Sequence, residues 1–146
     1  MTLVETQPQE SYFVEAAFRF EQLPSSGTYI ELITIVSNPP WAEICTARLS
    51  NNGGSLVLEL VKTYAGGAVT SYGVSLVPKN YYLITLGFVK ASDGGYYLAL
   101  DGSVLSSETG IDTSAYPSPN KAYTGVFWSS GNQEVYMDNL EISTLP

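Results

Sequence analysis

The chain of 146 residues predicts an all-β fold, an antiparallel sandwich of two sheets. Short segments of alternating apolar and polar residues recur along the whole chain, separated by turn residues at intervals of roughly ten residues. No segment of helical length carries the apolar stripe of an amphipathic helix. A large number of strands joined by short turns favours a closed sandwich over an open sheet.

The first half of the chain predicts four strands. They span Ser11–Glu21, Tyr29–Val36, Ala42–Ser50 and Leu56–Val61. Strict alternation in the first strand predicts one buried face, whereas the second is apolar on both faces, as in an inner strand. Two prolines end the second strand because they donate no hydrogen bond to a neighbour. The sequence Asn51–Gly54 predicts a hairpin, since its residues tolerate a positive φ angle.

The second half predicts six further strands and one long connection. The strands are Val69–Val77, Tyr81–Lys90, Tyr96–Leu100, a short strand beginning at Val104, Lys121–Ser130 and Gln133–Ser143. Ser106–Lys121, which contains two prolines and several hydroxyl residues, is predicted to be the long connection, with a short helical turn near Thr113. In the last strand the apolar positions change parity, which predicts a β-bulge at Asp138 and Asn139.

The chain is predicted to be a single domain. Residues 1–10 form an N-terminal tail in this prediction, and residues 11–146 form the sandwich. A domain of this length buries enough surface for a core without disulfides or metals.

Composition excludes several classes of site. The chain has 14 acidic and six basic residues and no histidine, so histidine-based catalysis and histidine-ligated zinc are absent. The net charge of −8 lacks the basic surface of a nucleic-acid-binding protein. Cys45 is the single cysteine, which excludes an intramolecular disulfide, and its position in a strand predicts a buried, unreactive thiol. No apolar run is long enough for a membrane-spanning helix.

The first residues do not resemble a signal peptide, because they lack a basic segment and a long apolar one. We therefore expect either that a signal was removed or that the protein leaves the cell by another route, such as lysis. The expected location is a virion surface or the extracellular space. Charged residues make up only 14% of the chain, and the resulting neutral, hydroxyl-rich surface suits both places.

Three segments resemble the concanavalin A-like lectin and glucanase superfamily, in particular its laminin-G-like jelly rolls. The segments are Tyr12–Phe20, Tyr81–Leu105 and Gly125–Ile142. The second contains the motif Leu-Ala-Leu-Asp-Gly at residues 98–102, and the third ends in Asp-Asn-Leu-Glu-Ile. Two tyrosines at the start of the second segment stand where the family often has tryptophan. The resemblance covers nearly the whole chain, and it implies two curved antiparallel sheets packed face to face.

The sequence predicts no catalytic residues. Glycosidases of the superfamily carry carboxylates two positions apart on one strand, and a retaining mechanism needs carboxyl groups about 5–5.5 Å apart. Glu134 and Asp138 are four positions apart, and no strand carries two acidic residues at that closer spacing. Serine has no histidine to activate it. We therefore expect the chain not to be an enzyme, with a glycoside hydrolase or lyase as the least favoured function.

Two kinds of ligand site remain open. Calcium binds near loop ends in some relatives, and Asp93, Asp101 and Asp112, with Glu108, are the candidate ligands, although the first two also fit turn geometry. No other cofactor is expected. Glycan binding requires aromatic faces beside polar groups. The candidates are Trp41, beside the two prolines, and Tyr64, Tyr72 and Tyr116, whereas Trp128 is expected in the core.

The predicted function is a non-catalytic binding or structural module, a surface component of a phage-like virion that serves in decoration or adhesion. Its expected partners are other copies of itself or neighbouring structural proteins, and cell-surface glycans, with no nucleic acid and no membrane insertion. The alternative is a stand-alone carbohydrate-binding module of the lectin type.

Overall fold

The computed structural model describes residues 2–129 and 135–143, with side chains described over residues 2–125. This part of the chain forms eleven β-strands. Their bounds are β1 Thr2–Glu5, β2 Ser11–Phe20, β3 Tyr29–Ser37, β4 Ala42–Asn52, β5 Ser55–Lys62, β6 Ala68–Gly73, β7 Tyr81–Val89, β8 Gly94–Leu100, β9 Ser103–Ile111, β10 Lys121–Ser129 and β11 Val135–Ser143. Over these residues no helix is long and apolar enough to cross a membrane.

The strands form two antiparallel sheets. The six-stranded sheet has the order β1-β10-β3-β4-β5-β6, and the five-stranded sheet has the order β11-β2-β7-β8-β9. Two runs of successive hairpins, β3 to β6 and β7 to β9, form most of both sheets, and β10 and β11 return to pair with β3 and β2. This arrangement confirms the predicted two-sheet sandwich.

The core lies between the sheets. The predicted apolar face of β2 is fully buried, with no exposed surface on Tyr12, Val14, Ala16, Phe18 or Phe20. It packs in one cluster with alternate residues of β3, β4 and β5 from the other sheet. Alternation along β2 therefore identified its inward-facing residues correctly, whereas β3 and β4 each place two consecutive residues in the core.

The predicted long connection is wrong over its first third. Residues up to Ile111 continue β9, which pairs with β8, so the connection covers only residues 112–120. The expected helical turn near Thr113 is a plain turn. The reason is visible in the hydroxyl group of Thr113, which donates to the Val89 carbonyl at 2.8 Å and accepts from the Ala91 amide at 3.0 Å. These bonds fix the connection to the end of β7.

Two features near the chain ends complete the fold. Residues 2–5, within the segment predicted as a tail, form β1 and pair with β10 at the edge of the six-stranded sheet. In β11 the register with β2 shifts between Asp138 and Glu141, which confirms the predicted bulge at Asp138 and Asn139.

Candidate functional site

The outward face of the six-stranded sheet carries an unusual concentration of polar side chains. Ile33, Ala47 and Leu60 lie in one register and face the core, so the residues that alternate with them face away from it. We call this outward surface the polar face. Its described members are Tyr29, Glu31, Thr34, Glu43, Thr46, Arg48, Ser50, Glu59, Ser71, Lys121 and Tyr123.

Glu59 is the centre of a hydrogen-bond network on this face. Arg48 Nε donates to Glu59 Oε1 at 3.0 Å, the Ser50 hydroxyl donates to the same oxygen, and the Ser71 hydroxyl donates to Oε2 at 3.0 Å. Only 6% of the Glu59 side chain is exposed. Burial alone would raise the pKa of Glu59, but these hydrogen bonds and the charge of Arg48 outweigh it and lower the pKa.

The polar face is covered by its own side chains. The hydroxyl groups of Thr34 and Thr46 lie 3.0 Å apart and are hydrogen-bonded, and both residues are buried although they do not face the core. The register between β3 and β4 shifts twice, between Glu31 and Ile33 and between Ile35 and Val36. Bulges of this kind bend a strand and increase its twist, which brings neighbouring side chains together on one face.

An aromatic pair lies at one end of the polar face. The ring centroids of Trp41 and Tyr123 are 5.6 Å apart, and Trp41 remains 47% exposed. Tyr123 is in register with Thr34, so the pair is continuous with the hydroxyl groups of the face. Asn120 anchors the turn before Trp41, since its side chain accepts from the Asn38 amide and donates to the Asn38 carbonyl, both at 2.9 Å.

Two carboxylates of the polar face have no hydrogen bond or ion pair with any other described residue. They are Glu31 on β3 and Glu43 on β4, and both are half-buried. Burial raises the pKa of Glu31, as does the negative charge of Glu43, while Arg48 acts in the opposite direction. Burial also raises the pKa of Glu43. Partly desolvated carboxylates on a face that also carries an exposed aromatic ring are candidates for binding sugar hydroxyl groups and for proton transfer.

The cations of the polar face are both engaged within the protein. Arg48 is paired with Glu59, and its guanidinium carbon lies 4.8 Å from the centroid of the Tyr29 ring. Lys121 Nζ lies 2.6 Å from Glu5 Oε1 at the edge of the sheet. Within the described part of the chain, the face therefore presents unpaired negative groups and paired positive ones.

The other aromatic candidates lie away from the polar face. Tyr64 and Tyr116 form a second ring pair, with centroids 4.7 Å apart, and Tyr116 stacks on the core residue Phe88 at 5.8 Å. Tyr72 packs against the core from β6. Of the four predicted glycan-binding residues, only Trp41 contacts the polar face.

The calcium candidates are not brought together. No group of three or more potential metal ligands occurs among residues 2–129 and 135–143. Asp101 accepts from the Leu83 amide at 2.7 Å, and Glu108 forms an ion pair with Lys62 at 2.5 Å. Asp112 accepts from the amide and hydroxyl of Ser114, which lowers its pKa. Asp93 lies exposed in the turn between β7 and β8. Turn geometry and pairing thus account for these carboxylates.

The remaining predictions concern Cys45, whose side chain is buried, and Glu134, Asp138 and Trp128, whose side chains are not described. Cys45 is completely buried and burial strongly raises its pKa, as predicted for an unreactive thiol. Glu134 lies outside the described residues, and only the backbone is described for Trp128 and Asp138.

No protein-family model matches the chain, and no curated protein matches it by sequence. Solved structures do match its fold. An endo-β-1,4-glucuronan lyase from the fungus Trichoderma reesei superimposes with a TM-score of 0.68 and 16% identity, over 99% of this chain and 74% of that one. An alginate lyase bound to an alginate tetrasaccharide superimposes with a TM-score of 0.70 and 12% identity, over 98% of this chain and 73% of the lyase. A pentraxin from Limulus polyphemus superimposes with a TM-score of 0.64 and 12% identity, over 99% of this chain and 70% of the pentraxin.

The fold is a concanavalin A-like jelly roll. This confirms the fold implied by the sequence resemblance. The same comparisons correct two predictions. The expected virion surface component finds no support, because the structures that share the fold over nearly the whole chain include polysaccharide lyases. The expectation that the chain is not an enzyme is contradicted by the same lyases, since these enzymes share its fold.

Proposed function

We propose that the protein binds a polysaccharide along the polar face of the six-stranded sheet. The observation that carries this proposal is the Trp41–Tyr123 ring pair, in which Trp41 is 47% exposed, on a face that also carries the half-buried carboxylates Glu31 and Glu43. Aromatic faces pack against the C–H surfaces of sugars, while carboxylates and hydroxyls accept and donate hydrogen bonds to sugar hydroxyl groups. The likeness to lyases, one of them bound to an alginate tetrasaccharide, supports a carbohydrate as the ligand.

Replacing Trp41 by alanine is expected to weaken polysaccharide binding by about tenfold or more, because the exposed ring would supply much of the apolar contact. The measurement is affinity electrophoresis in gels that contain cellulose-type glucan, xylan, mannan, galactan, alginate or polyglucuronate. Tyr81→Ala is the matched control, since Tyr81 is 50% exposed but lies at the start of β7 in the other sheet. Retardation by none of these polymers, or equal retardation of wild type and Trp41→Ala, would contradict the proposal.

A second candidate function is cleavage of the bound chain, for which the half-buried carboxylates Glu31 and Glu43 are the candidate groups. In hydrolysis one carboxylic acid protonates the glycosidic oxygen as the C–O bond breaks, and a second carboxylate takes a proton from the water that attacks the anomeric carbon. A carboxyl group whose pKa is raised by burial and by a neighbouring negative charge suits the acid role, which we assign to Glu31. Glu43 is then the base.

Cleavage is tested by measuring new reducing ends released from the same polymers. Wild type is expected to release them, and Glu31→Gln is expected to lower the rate by about 100-fold or more, in line with the loss of a general acid. An accompanying assay for ultraviolet-absorbing unsaturated uronates separates elimination from hydrolysis. Absence of reducing ends on every polymer that binds would rule out cleavage and leave the binding function in place. Full activity of Glu31→Gln would show that Glu31 is not the acid.

A further inference from the structure

The charges of the polar face bear on which class of polysaccharide it accepts. From the arrangement of its ion pairs, we infer that the face takes an uncharged polysaccharide and discriminates against polyuronates. This inference rests on the proposed binding function and specifies its ligand. It also separates the protein from its lyase neighbours, two of which are named for glucuronan and alginate.

The first step of the argument concerns the positive groups. A site that recognises uronate carboxylates needs cations free to pair with them, most effectively an arginine. Arg48 is bound to Glu59 and stacked on Tyr29, and Lys121 is paired with Glu5. A uronate that took Arg48 from Glu59 would leave the buried Glu59 carboxylate without its partner, which carries a large cost. Lys121 is also occupied, but its partner Glu5 is 58% exposed, so that pair is the weaker of the two.

The second step concerns the negative groups. Glu31 and Glu43 lie half-buried on the same face, and neither forms an ion pair with a described residue, although the charge of Arg48, which lies opposite Glu31, partly offsets that of Glu31. Glu43 follows Trp41 by two positions, at the start of β4. An ionised carboxylate only accepts hydrogen bonds. Sugar hydroxyl groups donate to it, whereas a uronate carboxylate has no proton to donate and is repelled. The overall charge of −8 adds repulsion at longer range.

The experiment compares polymers that differ only in charge. Alginate, polyglucuronate and polygalacturonate are each tested beside the same polymer after reduction of its carboxyl groups to primary alcohols. Binding is measured by titration calorimetry at about pH 8 and low salt, where carboxyl groups are ionised. At least one reduced polymer is expected to bind about tenfold more tightly than its parent uronate, as expected for like charges facing each other at a partly desolvated surface.

Variants of Glu31 and Glu43 test whether these two carboxylates cause the preference for the uncharged polymer. Glu31→Gln with Glu43→Gln is expected to narrow the difference between the two forms of the polymer, mainly by strengthening uronate binding. Asp93→Asn, which removes a charge from an exposed turn at the other sheet, is the control and is expected to leave the difference unchanged.

The outcomes separate this inference from the function on which it rests. Parent uronates that bind as tightly as their reduced forms, or more tightly, would overturn the inference and leave polysaccharide binding intact. If Asp93→Asn narrowed the affinity difference between parent and reduced polymers as much as the double variant does, the inference would also be overturned. The difference would then come from the net charge of the protein. No binding by any polymer, neutral or charged, would reject the proposed function itself.

Discussion

Replacing Glu59 by alanine is expected to lower the free energy of unfolding by about 3 kcal/mol, a typical effect when one member of a buried ion pair is removed. The side chain is 6% exposed and accepts hydrogen bonds from Arg48, Ser50 and Ser71. Removal would leave Arg48 without its partner and the two hydroxyl groups without an acceptor. Urea unfolding followed by tryptophan fluorescence measures the change.

The matched control for this prediction is Glu5→Ala, which removes the carboxylate of an ion pair that is more exposed. The Glu5 side chain is 58% exposed, so its pair with Lys121 contributes about 0–1 kcal/mol. The double variant Arg48→Met with Glu59→Leu should recover most of the lost stability, because an apolar replacement for the whole pair carries no unpaired charge. Equal effects of Glu59→Ala and Glu5→Ala would show that the network does not stabilise the sheet.

The stabilisation by Glu59 should also depend on pH. The pKa of Glu59 in the folded protein lies below its ordinary value of 4.5, so its contribution is present above about pH 4.5 and is lost as the pH falls through the folded value. The difference in unfolding free energy between wild type and Glu59→Gln should therefore shrink in acid. Glu31 and Glu43 act in the opposite sense, since their raised pKa values make their ionised forms unfavourable and acid relieves that cost.

Part of the polar face could have been predicted from the sequence. The Asn51–Gly54 turn was recognised, and it sets the register of β4 and β5, with Asn52 opposite Ser55. Continuing that register places Arg48 opposite Glu59. A search for acidic residues two positions apart on a single strand could not find this arrangement, because the polar face takes its charged residues from several strands.

The contribution of β3 could not have been predicted in the same way. Between β3 and β4 the register shifts by one residue after Glu31 and shifts back after Ile35, so Thr34 lies opposite Thr46 rather than Cys45. A bulge changes which face a residue occupies, and the apolar sequence of β3 gives no sign of where a bulge lies. Nor could the sequence have placed Tyr123 beside Trp41, since β10 reaches β3 after more than eighty intervening residues.

The edge strand β9 was predicted to begin at Val104, but its continuation from Ser106 to Ile111 was missed. It pairs on one side only, and its sequence from Ser106 to Ile111 is rich in hydroxyl residues and contains Gly110 at a φ angle of 74°. Such a strand lacks the apolar alternation of an inner strand, because only part of its surface contacts the core. What fixes its position is the close approach of its backbone, at Glu108 and Thr109, to Gly95 near the start of β8.

Gly95→Ala is accordingly expected to destabilise the protein by about 3 kcal/mol, at the upper end for overpacking of a well-packed site. A Cβ atom at position 95 would overlap the carbonyl oxygen of Glu108 and lie 2.6 Å from its carbonyl carbon. The obstacle is backbone, so it cannot be relieved by a change of side-chain rotamer. The strand β9 would have to move away from β8, and with it Glu108 and its ion pair with Lys62.

Gly73→Ala is the matched control, because Gly73 also lies in a strand but has no atom within 4 Å of a built Cβ and no positive φ angle. Alanine there is expected to change stability by less than about 1 kcal/mol, through the unfolded chain alone. Chemical denaturation gives both values, and amide hydrogen exchange shows where the effect lies. Faster exchange confined to β8 and β9 in Gly95→Ala is expected if the edge strand is displaced. A Gly95→Ala variant as stable as Gly73→Ala would mean that β9 does not approach β8 this closely. A loss of exchange protection throughout both sheets would mean that β9 is needed for the sandwich as a whole.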